Sequence, residues 1–224
     1  MKVCVLTLTR DRLDYTKHCF ARLRKFAGIS YSHYVLDQNS SDGTQKWLKR
    51  QYNEDHVECI ALLRENIGIN RGMNTLVKWA QQNDDYDVIV KMDNDCELIE
   101  PDTLRIVCEL SDAGYALLSP RIAGLNNPPP ATGEFEIEGE TILDIPQIGG
   151  IFTAAPAWIY DQFSFDGTKL LDDDVQLCWW YRARGGRCGY VERLTANHFE
   201  TTSGQHTRYP DYFARTLAEG KPAL

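Results

Sequence analysis

The sequence predicts an α/β fold in which a mostly parallel, Rossmann-like sheet is flanked by helices and carries a small hairpin or loop insertion. Over the first 120 residues, short β-branched and apolar runs alternate with longer segments of helical spacing, and the links are short. This alternation is typical of doubly wound α/β proteins. The run 87–92 is apolar along almost its whole length, as expected for a strand buried on both faces of a parallel sheet.

The elements of the first half follow one another in strict alternation. The predicted strands cover residues 3–8, 32–36, 57–62 and 87–92, and the predicted helices cover residues 15–26, 44–52 and 71–81. Gly28 ends the first helix, and the turn-rich segment 37–44 closes the second strand.

The pattern changes after Ser119. Residues 121–145 are rich in Pro, Gly and Asn and predict a long loop with a short hairpin, of the kind that forms lids or binding segments. Order is expected at 148–159, in a helix over 175–184 that ends at Gly185–Gly186, and in a strand over 188–191. The tail after Ala196 is polar. Without repeats or low-complexity tracts, residues 1–224 are interpreted as one domain.

Composition and charge narrow the classes of protein. The chain is 43% hydrophobic and 25% charged, which excludes a disordered tail, a collagen-like repeat and a coiled coil. The formal net charge is −8, the opposite of the bias shown by proteins that wrap nucleic acid or bind anionic membranes. No apolar run approaches the roughly 20 residues of a membrane-spanning helix. The sequence therefore predicts a soluble globular protein.

The cysteines indicate a reducing compartment. Seven are present, an odd number, and no pair has C-x-x-C spacing. A disulfide framework or a structural zinc site is not expected from this pattern. We interpret them as reduced, mostly buried thiols and expect a cytoplasmic protein.

Polar side chains follow three of the predicted strands. In an open parallel sheet, ligands bind beyond the carboxyl ends of the strands, and three strands that direct polar groups there suit a nucleotide-sized ligand. The residues concerned are Thr7, Thr9, Arg10 and Arg12 after the first strand, Asp37, Asn39 and Asp42 after the second, and Asp93, Asn94 and Asp95 after the fourth.

The segment MDND contains the most informative acids. If the strand continues, Asp93 and Asp95 share one side and Asn94 lies opposite. Two adjacent carboxylates repel unless a cation lies between them, and such oxygen ligands select Mg²⁺ or Mn²⁺. An EF-hand is excluded because Leu98 and Leu104 stand where Gly and Glu are needed. The alternative is that the two acids only cap a turn.

A second acidic group precedes the predicted helix over 175–184. Asp172, Asp173 and Asp174 suit a helix N-terminus, but three in succession exceed what capping requires, and crowding raises carboxyl pKa values toward those of a general base. His198 follows the last predicted strand and could complete a Mn²⁺ site, although a lone His is more often structural. For His206 only a structural role is expected.

Seven segments in this order resemble the GT-A glycosyltransferases of family 2. They are VLTLTRDR, VLDQNSSDGT, ENIGINRGMN, VKMDND, GGIFTAAP, LLDDDVQLCWWYRARGG and NH, and the resemblance as a whole extends from Val3 to His198. The resemblance implies a GT-A fold and a nucleotide-sugar-dependent transferase that inverts the anomeric centre. It also divides the chain into a nucleotide-sugar-binding half, 1–120, and an acceptor-side half, 121–224.

The resemblance also implies roles for individual residues. Asp37 would bind the base, Asp95 would hold the metal on the diphosphate, and Asp174 would be the catalytic base. Asp93, which would face the ribose, and His198 would complete the metal set. The remaining nucleotide-binding residues would be Thr7, Thr9, Arg12, Asn66, Gly68, Arg71 and Asn94.

Two departures from the family pattern concern the acceptor side. Gln176 stands where an acid is common, and residues 154–156 read Ala-Ala-Pro where basic residues are usual. The segment 121–145 and the pair Trp179–Trp180 could form an acceptor wall, although core packing is expected for at least one of the two rings.

The implied cofactors are Mn²⁺ or Mg²⁺ and a nucleotide-sugar, with a UDP-sugar favoured. The acceptor hydroxyl stays unassigned, and a nucleic-acid acceptor stays open. Two other functions are considered. A nucleotidyltransferase uses similar acids, but usually has a Gly-rich phosphate loop where this chain has TLTRDRLD. A non-catalytic nucleotide-sugar binder would retain the fold without turnover.

Overall fold

The computed structural model describes residues 1–125, 129–168, 173–199 and 202–218. Within these ranges the strands form a ten-stranded sheet with helices packed on its faces. In the same ranges no helix combines the length and the apolar character that crossing a membrane requires.

The first half of the chain forms the parallel part of the sheet. The strand order is β3-β2-β1-β4, and all neighbouring strands are parallel. Each predicted element is present, with bounds within two residues of the prediction. The elements are β1 (Val3–Thr9), α1 (Leu13–Phe26), β2 (Tyr31–Asp37), α2 (Thr44–Asn53), β3 (Cys59–Leu62), α3 (Ile69–Asn83) and β4 (Val88–Met92).

The second half of the chain is mixed. Its elements are β5 (Cys96–Leu98), α4 (Thr103–Gly114), β6 (Ala116–Ala123), β7 (Gly133–Ile137), β8 (Glu140–Asp144), β9 (Phe152–Pro156), α5 (Ile159–Gln162), α6 (Asp173–Arg182), β10 (Arg187–His198), α7 (Thr202–Arg208) and α8 (Pro210–Ala218). The sheet continues from β4 in the order β9-β6-β10-β8-β7, and β5 pairs with β10. Strand β9 is antiparallel to both β4 and β6, whereas β10 is parallel to β6.

The predicted short hairpin is confirmed as β7–β8, which pair antiparallel. The final part of the chain has more structure than the sequence predicts. The strand expected over 188–191 is the middle of β10, which continues through an irregularity between Val191 and Thr195 to His198. The polar tail then forms α7 and α8, to which the sequence assigned no element.

Alternating residues of β1 supply both faces of the sheet. Val3 and Val5 pack with α1 and α4 on one face, while Leu6 and Leu8 pack with α3 and α6 on the other. Helix α3 packs closely on β1 at Gly72. A Cβ at this position would lie only 2.8 Å from Leu8 Cδ2, so a larger residue would not fit without a shift. This contact fixes the start of α3 beside the carboxyl end of β1.

The cysteines are free thiols, as predicted. All seven lack disulfide partners, and only Cys59 is not fully buried. Burial raises the pKa of the Cys4, Cys19 and Cys108 thiols well above the ordinary value. We therefore expect them to be unreactive at neutral pH.

Candidate functional site

The loop after β1 is a strained feature at the carboxyl edge of the sheet. Asp11 and Arg12 both have left-handed backbone, with φ of 51° and 56°. Such backbone costs a side-chain-bearing residue about 1–3 kcal/mol and persists only where surrounding contacts fix it. Here the Arg12 carbonyl accepts the Thr16 N–H, and the Asp11 carboxylate accepts the Ser41 N–H at 2.7 Å. The loop thereby directs the Arg12 side chain into the site.

Arg12 forms a buried ion pair with Asp95. Arg12 is 1% exposed and Asp95 is 4% exposed. The guanidinium NH1 donates to Asp95 Oδ2 at 2.9 Å, and NH2 donates to Asn94 Oδ1 at 3.0 Å. Burial by itself would raise the pKa of Asp95, but the charges of Arg12 and His198 outweigh it and hold that pKa well below its usual range. Asp95 is therefore ionised at neutral pH.

His198 lies against the same carboxylate. Its Nε2 is 3.2 Å from Asp95 Oδ2. Burial lowers the pKa of His198. The hydrogen bond and negative charge of Asp95, together with the charge of Asp93, raise that pKa by more than burial lowers it, so the net shift is upward. Asp95 and His198 are about a hundred residues apart in the sequence. The fold brings them into contact because β10 pairs with β5, with His198 opposite Cys96.

The pair suits a hard divalent cation. A carboxylate oxygen and an imidazole nitrogen are both ligands for Mn²⁺, and a six-coordinate ion at about 2.1 Å needs neighbouring ligands about 3 Å apart. The distance of 3.2 Å between Asp95 and His198 fits this spacing. Within the described residues no three His, Cys, Asp or Glu side chains are grouped around one point. An ion here would need its other ligands from a substrate or water, which is usual for Mg²⁺ and Mn²⁺.

The arrangement predicted for Asp93, Asn94 and Asp95 on a continuing strand is not found. The strand ends at Met92 instead of continuing, so Asp93 and Asp95 do not share one strand face. Asp93 forms an ion pair with Lys91 at 3.1 Å. The prediction that Asn94 lies opposite Asp95 is wrong, because both contact the Arg12 guanidinium; Asn94 also donates to Thr16 at 3.0 Å. Asn94 is 2% exposed and helps to hold Arg12.

Asp37 is held at the end of β2 by several donors. Its Oδ2 accepts Thr9 Oγ1 at 3.0 Å, and its Oδ1 accepts the Ser40 N–H at 2.9 Å and Gln45 Nε2 at 2.8 Å. The predicted base-binding residue is therefore fixed in one orientation at the edge. Thr7 is not at this edge: its hydroxyl lies 3.0 Å from His33 Nε2 in the interior, which does not support its predicted place in the nucleotide pocket.

The start of α3 lies at the same edge. Asn66 Oδ1 accepts the Gly68 N–H at 2.8 Å, and Gly68, with φ of 86°, turns the chain into the helix. Only glycine adopts this backbone without strain. Arg71 Nε donates to the Gly167 carbonyl at 2.8 Å, so this predicted nucleotide-binding side chain is also attached to the segment that precedes α6.

The same segment links α3 to α6. Asn74 accepts the Phe165 N–H at 2.9 Å, and Gln176 Oε1 accepts the Asp166 N–H at 2.7 Å. Gln176, one of the two departures from the family pattern, thus has a structural role. Asp174 is the second residue of α6, but its side chain, like the whole of Asp172, lies outside the described part of the structure.

The acceptor-side predictions fall in two places. A cavity of about 300 Å³ is lined by residues that include Arg121, Pro129, Pro130 and Tyr190. Trp180 packs on Phe163 with ring centroids 5.4 Å apart, which confirms core packing for one ring of the pair, while Trp179 is 66% exposed. Residues 154–156 lie inside β9 and are buried, away from the edge.

Gln205 was missed at the sequence level. It lies on α7, is 3% exposed, and contacts three site residues: its Oε1 accepts Arg12 NH1 at 2.7 Å, and its Nε2 lies 3.1 Å from Asp95 Oδ2 and 3.2 Å from His198 Nε2. No motif signals this, because the family segments end at His198 and Gln205 stands in a polar stretch. His206, assigned only a structural role, stacks on Phe213 at 3.6 Å.

A parallel half-sheet joined to a mixed half, with an acid–histidine pair beyond the strand ends, places the protein in the GT-A class of α/β folds. The sequence model for glycosyl transferase family 2 matches residues 3–167. The chain belongs to this family. No curated protein sequence matches it closely enough to count as a relative.

Solved structures share the fold. A mannosyltransferase, PcManGT from Pyrobaculum calidifontis, in complex with GDP-Man and Mn²⁺, has a TM-score of 0.72 at 16% identity over 99% of this chain and 65% of its own. S. aureus TarS 1–349 with UDP-GlcNAc has a TM-score of 0.68 at 14% identity over 88% of this chain and 58% of its own. GalNAc-T7 with UDP, GalNAc and Mn²⁺ has a TM-score of 0.66 at 11% identity over 91% and 44%. The chain therefore spans between 44% and 65% of the length of these three proteins.

Proposed function

We propose that this chain transfers a sugar from a nucleotide-sugar donor to an acceptor hydroxyl, with a divalent cation and with inversion at the anomeric centre. The observation that carries the proposal is the contact of 3.2 Å between Asp95 and His198 beside Arg12, at the carboxyl edge of the sheet. It is supported by the family and by neighbours solved with UDP-GlcNAc, with GDP-Man and Mn²⁺, and with UDP and Mn²⁺.

Asp95 and His198 would hold the Mn²⁺ or Mg²⁺. The bound ion would stabilise the negative charge that develops on the departing diphosphate, a contribution of several kcal/mol. Arg12 adds a second positive group that is already fixed beside Asp95. Asp93, within electrostatic range of both Arg12 and His198, stays a proposed ribose and metal contact.

The nucleoside would lie between β2 and the start of α3. Asp37 is held rigidly there by Thr9, Ser40 and Gln45, so its orientation costs no ordering when a base binds. Asn66, Gly68 and Arg71 would border the opposite side. A UDP-sugar is the favoured donor, and residues 1–120 would form this donor half of a single domain.

Asp174 is the proposed general base. It would take the proton from the acceptor hydroxyl as that oxygen attacks the anomeric carbon on the face opposite the leaving diphosphate, a transfer worth about 10²–10⁴-fold in rate. Its place at the start of α6 supports the role, because Gln176 ties this helix to the segment anchored on α3. Residues 121–224 would supply the acceptor side, for which the cavity beside Tyr190 is a candidate.

The test is release of nucleotide from UDP- and GDP-sugars. We expect UDP release that requires Mn²⁺ or Mg²⁺ and stops on chelation. Asp174→Asn should bind donor as the wild type does and lose about 10²–10⁴-fold in turnover. Donor binding without release, in the presence of a broad panel of hydroxyl acceptors, would indicate a non-catalytic binder instead. Full turnover in Asp174→Asn would remove Asp174 from the role of base.

A further inference from the structure

The side chain of Gln205 contacts Arg12, Asp95 and His198. Its amide oxygen accepts from Arg12 at 2.7 Å, and its amide nitrogen lies 3.1 Å from Asp95 Oδ2. The same nitrogen is 3.2 Å from His198 Nε2 and 3.4 Å from the Phe199 carbonyl. A neutral amide thus fills the space between a guanidinium, a carboxylate and an imidazole.

The polar contacts of the Asp95 carboxylate converge on one of its oxygens, Oδ2. Arg12, His198 and Gln205 all lie against Oδ2, at 2.9, 3.2 and 3.1 Å. A carboxylate with one oxygen fixed by three polar groups cannot rotate freely, so the whole Asp95 carboxylate has a defined orientation beside His198.

Gln205 is not needed to attach the C-terminal helices. Arg215 on α8 forms an ion pair with Asp11, and its NH1 donates to Ser41 at 2.9 Å. The Tyr209 ring packs on Tyr15 with centroids 5.0 Å apart, and the Tyr212 ring lies 5.0 Å from the Arg12 guanidinium carbon. These contacts hold α8 and Tyr209, the residue between α7 and α8, without the Gln205 amide. The contacts of the amide itself are all with residues at the site or with the adjoining Phe199 carbonyl.

We propose that Gln205 is a positioning residue for the divalent cation: it fixes the Asp95 carboxylate and the Arg12 guanidinium so that Asp95 is held beside His198 in the orientation that the ion requires. The inference rests on the proposed function, since it requires that Asp95 holds a cation. It assigns a role in the site to α7, a segment beyond the residues matched by the family model.

Two substitutions at Gln205 separate positioning from direct coordination. The probe is Mn²⁺ alone, titrated against the full chain and followed by electron paramagnetic resonance. Gln205→Ala should weaken Mn²⁺ binding by about 10–100-fold, the usual effect of removing a group that orients a metal ligand. Gln205→Glu should weaken it at least as much, because a carboxylate would then face the Asp95 carboxylate.

The control is Gln51→Ala, which removes another buried amide far from the site, where Gln51 contacts Arg24 and Glu54. It should leave the Mn²⁺ affinity unchanged. As a second readout, the Mn²⁺ concentration needed for half-maximal UDP release should rise in Gln205→Ala and stay at the wild-type value in Gln51→Ala.

Unchanged or tighter Mn²⁺ binding in Gln205→Ala would overturn the proposal. Wild-type affinity in Gln205→Glu would also overturn it, because the residue at 205 would then be a ligand. A wild-type chain that binds no Mn²⁺ would refute both this inference and the metal-dependent function. Mn²⁺ binding that weakens in Gln205→Ala, without UDP or GDP release from any donor, would uphold positioning and refute only the transfer.

Discussion

Replacing Asp95 by Ala should damage stability as well as ion binding. If Asp95 were an exposed metal ligand, its removal would cost no folding stability. The structure argues otherwise, because Asp95 is 4% exposed and is the acidic partner of Arg12, which is 1% exposed. Among the described residues, Asp95→Ala leaves that guanidinium buried with the amide oxygens of Asn94 and Gln205 as its remaining side-chain acceptors.

The magnitude follows from the burial of the pair. Breaking a buried ion pair by removing one partner costs about 3–5 kcal/mol. For a chain of this size that corresponds to a fall in Tm of roughly 6–20 °C. The assays are urea denaturation for the free energy of unfolding and thermal unfolding for Tm, both in the presence of a chelator so that metal binding does not contribute. Asp84→Ala, which removes the exposed partner of Lys2, is the control and should leave Tm unchanged.

A double variant separates loss of the pair from loss of packing. Arg12→Met with Asp95→Asn removes both charges, so it should cost less than the sum of the two single substitutions. A stability loss below about 1 kcal/mol for Asp95→Ala is the value expected of an exposed pair. That result would refute the buried ion pair.

The remaining predictions concern the fold. Burial lowers the pKa of His33 to about 3, so as the pH falls the unfolded chain takes up a proton at this residue before the folded chain does. The stability that neutral His33 contributes is therefore complete above about pH 6.5 and is lost as the pH falls toward 3. The loss is at most about 1.4 kcal/mol per pH unit. His33→Gln should flatten the pH dependence of the free energy of unfolding, measured by urea denaturation, whereas His56→Gln should leave it as in the wild type. Equal slopes of stability against pH in the two variants would contradict this. Gly28 and Gly139 both have positive φ, but only at Gly28 would a Cβ lie 2.7 Å from the Asp102 backbone. Gly139→Ala should cost about 1–2 kcal/mol and Gly28→Ala more, by thermal unfolding; equal losses would rule out the clash.

The parallel half of the fold could be predicted because each strand is marked locally. The apolar and β-branched residues of β1 and β4, the short run of β2 and the helical spacing between them are visible in the sequence. Parallel pairing then brings Asp37 and the residues after β4 to one edge. The resemblance to the family added the later segments, including the residues at the start of α6.

The contacts within the site depend on long-range pairing that no local pattern specifies. His198 reaches Asp95 only because β10 continues past its irregularity at Val191–Thr195 and pairs with β5. The turn after Met92, which places Asn94 and Asp95 on one guanidinium, breaks the strand alternation on which the prediction relied. Gln205 comes from a helix whose polar sequence gives no indication of burial.

The cation site can be tested most directly by pulsed electron paramagnetic resonance of Mn²⁺ bound to the chain. Coordination by an imidazole produces nitrogen coupling on the manganese signal. We expect that coupling in the wild type and in Gln51→Ala, and its disappearance in His198→Ala. Bound Mn²⁺ without nitrogen coupling, or coupling that persists in His198→Ala, would show that the ion does not lie between Asp95 and His198.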